Sequence, residues 1–431
     1  VVVQQTGVGS TVTYAAIRVQ RKNQLSATVF VCLTALCLTL LASTDAKADL
    51  RSRQWYLDAM QAERMWRTST GEGVTVAVID SGVNSSVPEL RGQLVPGKDF
   101  SIQWRGANYD DDGHGTGMAM TIAAKRIGDG AWGLAPGSKI LPIRNAGENS
   151  AVNMAKGIRY AADQGAKVIN ISQGGTPTDD IKATLQPAVD YANNKGSLIF
   201  AATGNSGDKG NSPGYPSIIP GVVGVGAVDK SLTVTKFSTY GPQVALSAPG
   251  VDIPTRCTKK LLDCMSRGTS QATAIASASA ALIWSAHPSW TNNQVLRVML
   301  QTAGKPTDGK VPSKYLGYGI VRPRKVLLDQ EGDPGPADVN PLLPVRKNKE
   351  KNATPSSSPS QTPRSGHDRK ITEPTQQQAD QANATKPWPV IAGIGTGAGA
   401  LTIGGLVIAR RRKASHESRK SNWDSSSTRL E

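Results

Sequence analysis
Short β-branched runs alternate with longer helix-compatible stretches through the middle of this chain. Val74-Thr-Val-Ala-Val-Ile79 is apolar at nearly every position, the texture of a strand buried on both faces. Lys139–Ile143, Lys167–Ile171, Leu198–Ala202 and Val222–Ala227 repeat it. Amphipathic stretches over Ala151–Gln164, Asp179–Asn194 and Asn292–Gln301 read as helices. Ser270–Ala286 is dominated by Ala and Ser, which suits a buried helix packed closely through small side chains. The alternation predicts an α/β fold, with a central, mainly parallel sheet between layers of helices. In such sheets, sites gather at the carboxyl ends of the strands.

Candidate chemistry lies at such positions. Asp80-Ser81-Gly82 follows the first strand. His114-Gly115-Thr116-Gly117 opens a small-residue stretch running to Ala124, and Gly268-Thr269-Ser270-Gln271-Ala272 opens the Ala- and Ser-rich helix. Singly, each is ordinary turn or capping chemistry. Together they supply a carboxylate, an imidazole and an alcohol. An alcohol is a weak nucleophile at neutral pH. It needs a base to take its proton and a carboxylate to hold that base in the right tautomer. A helix N-terminus at Ser270 adds a positive dipole end that favours developing negative charge. The order Asp…His…Ser is that of subtilisin, distinct from the orders of chymotrypsin and the α/β-hydrolases.

The chain resembles the subtilisin-like serine proteases (subtilases, peptidase family S8) over roughly Gly73 to Leu327. Val168–Gly175, Tyr215-Pro216-Ser217, Val222–Asp229, Phe237-Ser238…Gly241 and Ala248-Pro249-Gly250 carry the resemblance between the three segments. It implies a three-layer sandwich and catalytic roles for Asp80, His114 and Ser270. It also implies an oxyanion donor at Asn205, which follows the strand-like Ser197–Thr203 and Gly204, with the Ser270 backbone N–H as second donor. Ser172, Gln173 and Gly174 would pair with the substrate backbone. One departure is Ala274, where the family commonly has Pro. A Pro fixes the first turn of a helix, so its absence loosens that turn without removing a catalytic group. With an imidazole as base, activity is expected to fall as pH drops through about 6.5.

The flanks differ in character. Arg18, Arg21 and Lys22 precede an apolar Leu25–Leu41 run, and Ala46-Lys47-Ala48 is a small-x-small cleavage site. Residues 1–48 are therefore expected to be a secretory signal. The chain opens on Val1 rather than Met, so residues 1–17 are read as an upstream over-extension of it. Cys32 and Cys37 would leave with the signal. Residues 49–72 are too few to bury a core of their own. They are expected to pack as an extension on the catalytic domain, residues 73–330, with no prodomain removal needed for activity.

Beyond Glu331, residues 331–388 are rich in Pro, Ser, Thr and Gln and read as a disordered linker. Val390–Ala409 is apolar and is followed at once by Arg410-Arg-Arg-Lys413. That pattern predicts a transmembrane helix over 389–409 and a cytoplasmic basic tail over 410–431. Signal, protease, spacer and single C-terminal span together resemble the mycosins, membrane-anchored subtilases of type VII secretion. The lead-in Gln54–Trp66 is similar to their N-terminal extension. The resemblance implies a protease at the outer face of the cell membrane, processing proteins beside the secretion complex. A general scavenging protease and a structural component of that complex are the alternative readings.

The formal net charge is +16, of which residues 345–431 hold +8 and residues 1–48 hold +3. The central domain keeps only about +5, with no basic stripe interleaved with aromatics, so a nucleic-acid partner is not expected. Protein and peptide substrates and the membrane are. Outside the cell, Cys257 and Cys264 are expected to form a disulfide, with two free thiols as the alternative. No metal and no cofactor is expected. The acidic run Asp110-Asp111-Asp112 reads as a solvated loop, because calcium needs about 6–8 converging oxygens.

Overall fold
The computed structural model describes residues 49–344, apart from 102–103, 147–149, 258–261 and 308. The expected signal (1–48), span (389–409), tail (410–431) and the linker beyond 344 lie outside the described residues. Among the described residues, no helix is long and apolar enough to cross a membrane.

Strands β1 (Thr75–Asp80), β2 (Lys98–Asp99), β3 (Lys139–Arg144), β4 (Val168–Ile171), β5 (Leu198–Ala202), β6 (Val222–Val228) and β7 (Val244–Pro249) form one sheet. Its order is β2-β3-β1-β4-β5-β6-β7, and every pairing is parallel. Helices α1 (Trp55–Ala59), α2 (Ala62–Met65), α3 (His114–Ala123), α4 (Ser150–Asp163), α5 (Asp179–Asn194), α6 (Thr269–Ala286), α7 (Asn292–Thr302) and α8 (Pro323–Leu327) complete it. The five expected strands and four expected helices are all present, displaced by at most one residue at an end. The short edge strand β2, strand β7 and the antiparallel hairpin of β8 (Ile253–Cys257) with β9 (Leu262–Ser266) were not foreseen.

The period of two along β1 explains its unbroken apolar run. Val76 and Val78 join the core beneath α3 and α6, with Met118, Ile122 and Ile275. Ala77 and Ile79 join a second core beneath α4 and α5, with Met154, Ile158, Leu185 and Val189. A fully buried Ile or Leu contributes about 1.5–3 kcal/mol, so both faces of the sheet are sealed. Helix α6 is buried from Thr269 through Trp284, and its Ala and Ser side chains let it lie against β4, β5, β6 and β7. Ala274 sits in the second turn of α6, not the first, so the first turn that carries Ser270 forms without depending on a Pro there.

Residues 49–72 are part of the larger core. Leu50, Tyr56, Leu57 and Met65 are fully buried in it. Trp55 Nε1 donates to the Val251 carbonyl at 3.1 Å, and Trp66 Nε1 donates to that of Leu134 at 2.9 Å. Residues 331–344, assigned to the linker by composition, follow a defined path along α7. Arg297 donates to the carbonyls of Pro334, Pro336 and Val339, and Gln294 Nε2 donates to that of Gly335 at 3.0 Å. A Pro-rich stretch has carbonyls but few N–H groups, and the guanidinium supplies the missing donors.

Candidate active site
After β1 the chain builds β3 on one side and then crosses to build β4 on the other. A crevice opens at the carboxyl ends of strands around such a reversal. Asp80 ends β1, Ser172 follows β4, Asn205 follows β5, and His114 and Ser270 lie at the first turns of α3 and α6. A cleft of about 830 Å³ is lined by Ser172, Gln173, Gly174, Asn205 and Ser270, among others.

His114 Nδ1 lies 2.7 Å from Asp80 Oδ1. The Asp80 side chain is fully buried, while that of His114 is 32% exposed. The Ser81 backbone N–H also donates to Asp80 Oδ1, at 2.8 Å. This closeness requires a glycine after the histidine. A Cβ on Gly115 would stand 2.2 Å from the Gly82 carbonyl oxygen and 2.9 Å from Asp80 Cβ. The Asp80 carboxylate raises the His114 pKa to about 9; burial opposes it, while the hydrogen bond to Asp80 and the charges of Asp112 and Asp110 add to it. The expected value near 6.5 is therefore corrected upward, because the carboxylate is desolvated and points at the ring.

Ser270 is buried at the second position of α6. Its Oγ donates to the Ser172 carbonyl at 3.2 Å, and Ser172 Oγ donates to the Ser270 carbonyl at 3.2 Å. The hydroxyl is thus parked on the β4 edge rather than hydrogen-bonded to His114. Gly268, at φ +148°, turns the chain into α6. Asn205 is locked by acceptance: its Oδ1 takes the Thr269 N–H at 2.9 Å and the Thr269 hydroxyl at 3.1 Å. That fixes the carboxamide so that Nδ2 is left to donate elsewhere. Gln173 Oε1 accepts from Asn145 Nδ2 at 3.0 Å across the cleft wall.

Asp110 is not part of a solvated loop. It is 6% exposed, and its carboxylate takes four donors. Oδ1 accepts from Ser81 Oγ at 2.9 Å and Gly113 N at 2.8 Å; Oδ2 accepts from Thr116 N at 2.9 Å and from Thr116 Oγ1. Asp110 thereby caps the orphan N–H groups of α3 and ties the His114 helix to the residue beside Asp80. The sequence did carry a signal for this, an acid shortly before a helix start, but nothing local distinguishes it from its two neighbours. Asp111 lies 3.6 Å from the Arg144 guanidinium, and Asp112 is exposed on the cleft rim. Among the described residues, no group of three His, Cys, Asp or Glu is placed to hold a metal ion. Cys264 is disulfide-bonded. On the hairpin it stands opposite Thr255, with Cys257 opposite Leu262.

The chain is similar in sequence and fold to known proteins of one family. The profile of the subtilase family, Peptidase_S8, matches residues 71–319. Thermitase of Thermoactinomyces vulgaris is 40% identical over 203 residues, covering 46% of this chain and 71% of that protein. The thermostable alkaline protease of Halalkalibacterium halodurans is 38% identical over 269 residues, 62% of this chain and 70% of the relative. Among solved structures, MycP1 from Mycobacterium smegmatis superposes with a TM-score of 0.60 at 28% identity, over 71% of this chain and 90% of MycP1. The MycP3 protease of the type VII (ESX-3) secretion system gives 0.57 at 30% identity, over 66% and 90%. A subtilisin-like sheet with a family match over more than half its length makes this chain a member of the subtilase family of serine endopeptidases.

Proposed function
We propose that this chain is a membrane-anchored, extracytoplasmic endopeptidase that uses Asp80, His114 and Ser270 to cleave proteins of a type VII secretion system. The observation that carries the catalytic part is the 2.7 Å contact of His114 with buried Asp80, whose neighbour Ser81 lines the same cleft as Ser270. A peptide lies extended along Ser172, Gln173 and Gly174. The Ser270 hydroxyl leaves the Ser172 carbonyl and turns toward His114 Nε2, which takes its proton as the oxygen attacks the scissile carbonyl. Asp80 holds Nδ1 protonated and stabilises the imidazolium. Asn205 Nδ2 and the Ser270 N–H bind the oxyanion. His114 then gives the proton to the leaving amine, and water repeats the cycle on the acyl-enzyme.

The membrane and secretion parts rest on the apolar Val390–Ala409 run before Arg410–Lys413 and on likeness to the mycosins. A Cys257–Cys264 bond would clip the hairpin that leads into α6. A structural role beside the enzymatic one is favoured by MycP1 being an essential component of the ESX-1 system.

The test expresses wild type and Ser270→Ala in a strain lacking the gene and follows partner processing and secretion. Ser270→Ala should abolish processing. Secretion retained by the variant means the protein body also serves the machine; secretion lost means that cleavage drives export. Processing unchanged by Ser270→Ala would sink the triad assignment.

A further inference from the structure
Asn170 puts a carboxamide into β4, whose other residues are Val168, Ile169 and Ile171. It is fully buried. Its neighbours across the sheet are Val78 and Phe200, both in the core beneath α3 and α6. A polar group in such surroundings is costly unless it is hydrogen-bonded. Both ends of this one are. Oδ1 accepts from Ser277 Oγ at 3.0 Å, and Nδ2 donates to Ser172 Oγ at 3.1 Å. Ser172 Oγ in turn donates to the Ser270 carbonyl at 3.2 Å. A directed chain of hydrogen bonds thus leaves α6 at Ser277, passes through β4 and the residue after it, and returns to α6 at Ser270. Each link polarises the next in the same sense.

The two points of attachment lie about two turns, or about 10 Å, apart on one face of α6. Between and around them, Ala272, Ala274, Ala276 and Ala278 join the core. Burial is non-directional, so Ala packing presses the helix onto the sheet without fixing its place along the strands. Hydrogen bonds do fix it. The reach of Ser277 toward β4 is not the default for a hydroxyl in this helix. Thr273 and Ser279 donate to carbonyls of α6 itself, those of Thr269 at 2.7 Å and Ile275 at 2.8 Å. We propose that Asn170 is a positioning residue for the nucleophile. Acting through Ser277 and Ser172, it sets where the first turn of α6 stands against β4, and with it where the Ser270 Oγ and N–H meet a scissile carbonyl. The inference rests on the reading of Ser270 as the nucleophile. A misplacement of about 1 Å at a reacting group can lower the rate by about 10²-fold.

The test is made on the full-length protein. Asn170→Val keeps a side chain suited to a strand, and Ser277 is then free to donate to its own helix, as Thr273 does. On a peptide substrate, kcat should fall by roughly 10- to 100-fold with KM within about twofold of wild type. Ser277→Ala cuts only the far end of the chain and should lower kcat in the same way. Adding it to Asn170→Val should bring no further loss, because both changes break one network. Ser279→Ala removes a hydroxyl bonded within its own helix and should leave kcat unchanged. If Asn170→Val does not fold, Ser277→Ala decides alone. Rates like those of wild type, losses that add in the double variant, or a change confined to KM overturn the proposal.

Amide hydrogen exchange, read by mass spectrometry, needs no turnover and separates the two layers. Exchange over residues 268–274 should quicken in Asn170→Val and in Ser277→Ala but not in Ser279→Ala. If wild type cleaves nothing and this quickening is seen, the positioning role stands and the protease reading alone fails. Unchanged exchange there in both variants removes the role of Asn170 and leaves the protease reading as it was.

Discussion

The His114–Asp80 pair predicts an alkaline enzyme. A general base works only when neutral, and His114 titrates at about 9. At pH 7 about one molecule in a hundred then carries a neutral imidazole; an imidazole at the ordinary 6.5 would be about three-quarters neutral there. The two cases differ by nearly two orders of magnitude in activity relative to the alkaline plateau. The assay is kcat/KM for an uncharged peptide from pH 5 to 10.5, which reports ionisations of the free enzyme. The expected profile rises about tenfold per pH unit through neutrality and bends near 9. Asp80→Asn tests the cause: it removes the largest contribution, so the bend moves back toward 6.5 while turnover falls by about 10⁴ through loss of the oriented tautomer. A wild-type midpoint at or below 6.5 would refute the reasoning, since Asp80 would then not be holding the proton on the ring.

The same pair acts on stability with the opposite pH preference. A histidine whose folded pKa is raised stabilises the fold fully below its unfolded value near 6.5. That contribution is lost as pH rises through about 9. Activity therefore appears across the window in which this stabilisation disappears. Thermal unfolding of Ser270→Ala, which cannot digest itself, should show Tm declining between pH 6.5 and 9, and His114→Gln should flatten that decline.

Asn205→Ala should lower kcat by about 10²–10³, the loss measured in subtilisin for its oxyanion asparagine, with KM little changed; an equal rise in KM would point to ground-state binding instead. Asp110→Ala should lower kcat and displace the pH midpoint, because α3 loses its cap and His114 its position. Asp110→Asn, which keeps an acceptor, should restore part of both. Glu89 is fully buried with its Oε1 at 2.9 Å from Arg256 Nε and 2.8 Å from Nη2. Glu89→Ala removes the buried partner of Arg256 Nε and Nη2, leaving the guanidinium to Asp263 alone, and should lower Tm by roughly 10 °C in a melting scan; a change of a degree or less would show that the pair is structurally idle.

Local pattern reaches as far as the elements whose own residues decide their burial. Val74–Ile79 and Ser270–Ala286 are legible because nearly every side chain in them is buried, whatever surrounds them. Strand β7 was missed because Ser247 and Pro249 interrupt its apolar run, and only the parallel partner β6 makes those positions interior. The β8–β9 hairpin was missed for a similar reason: Pro254 and Arg256 read as surface, and Arg256 is half-sheltered only by its bonds to distant Glu89 and nearby Asp263.

The acidic triplet shows where composition stops altogether. Three identical side chains in a row have three fates. Asp110 turns inward because Ser81, Gly113 and Thr116 offer it donors. Asp111 meets a guanidinium from the end of β3. Asp112 is left on the rim of the cleft. Gly113 and Thr116 are near in the chain, but Ser81 and Arg144 come from segments that the sequence places elsewhere, brought near by the pairing of β1 with β3. The side chains proposed as catalytic could be picked out because that chemistry restricts the residue type and its turn. The residues that position them, Asp110 first, are distinguished from ordinary acids only by what the fold sets opposite them.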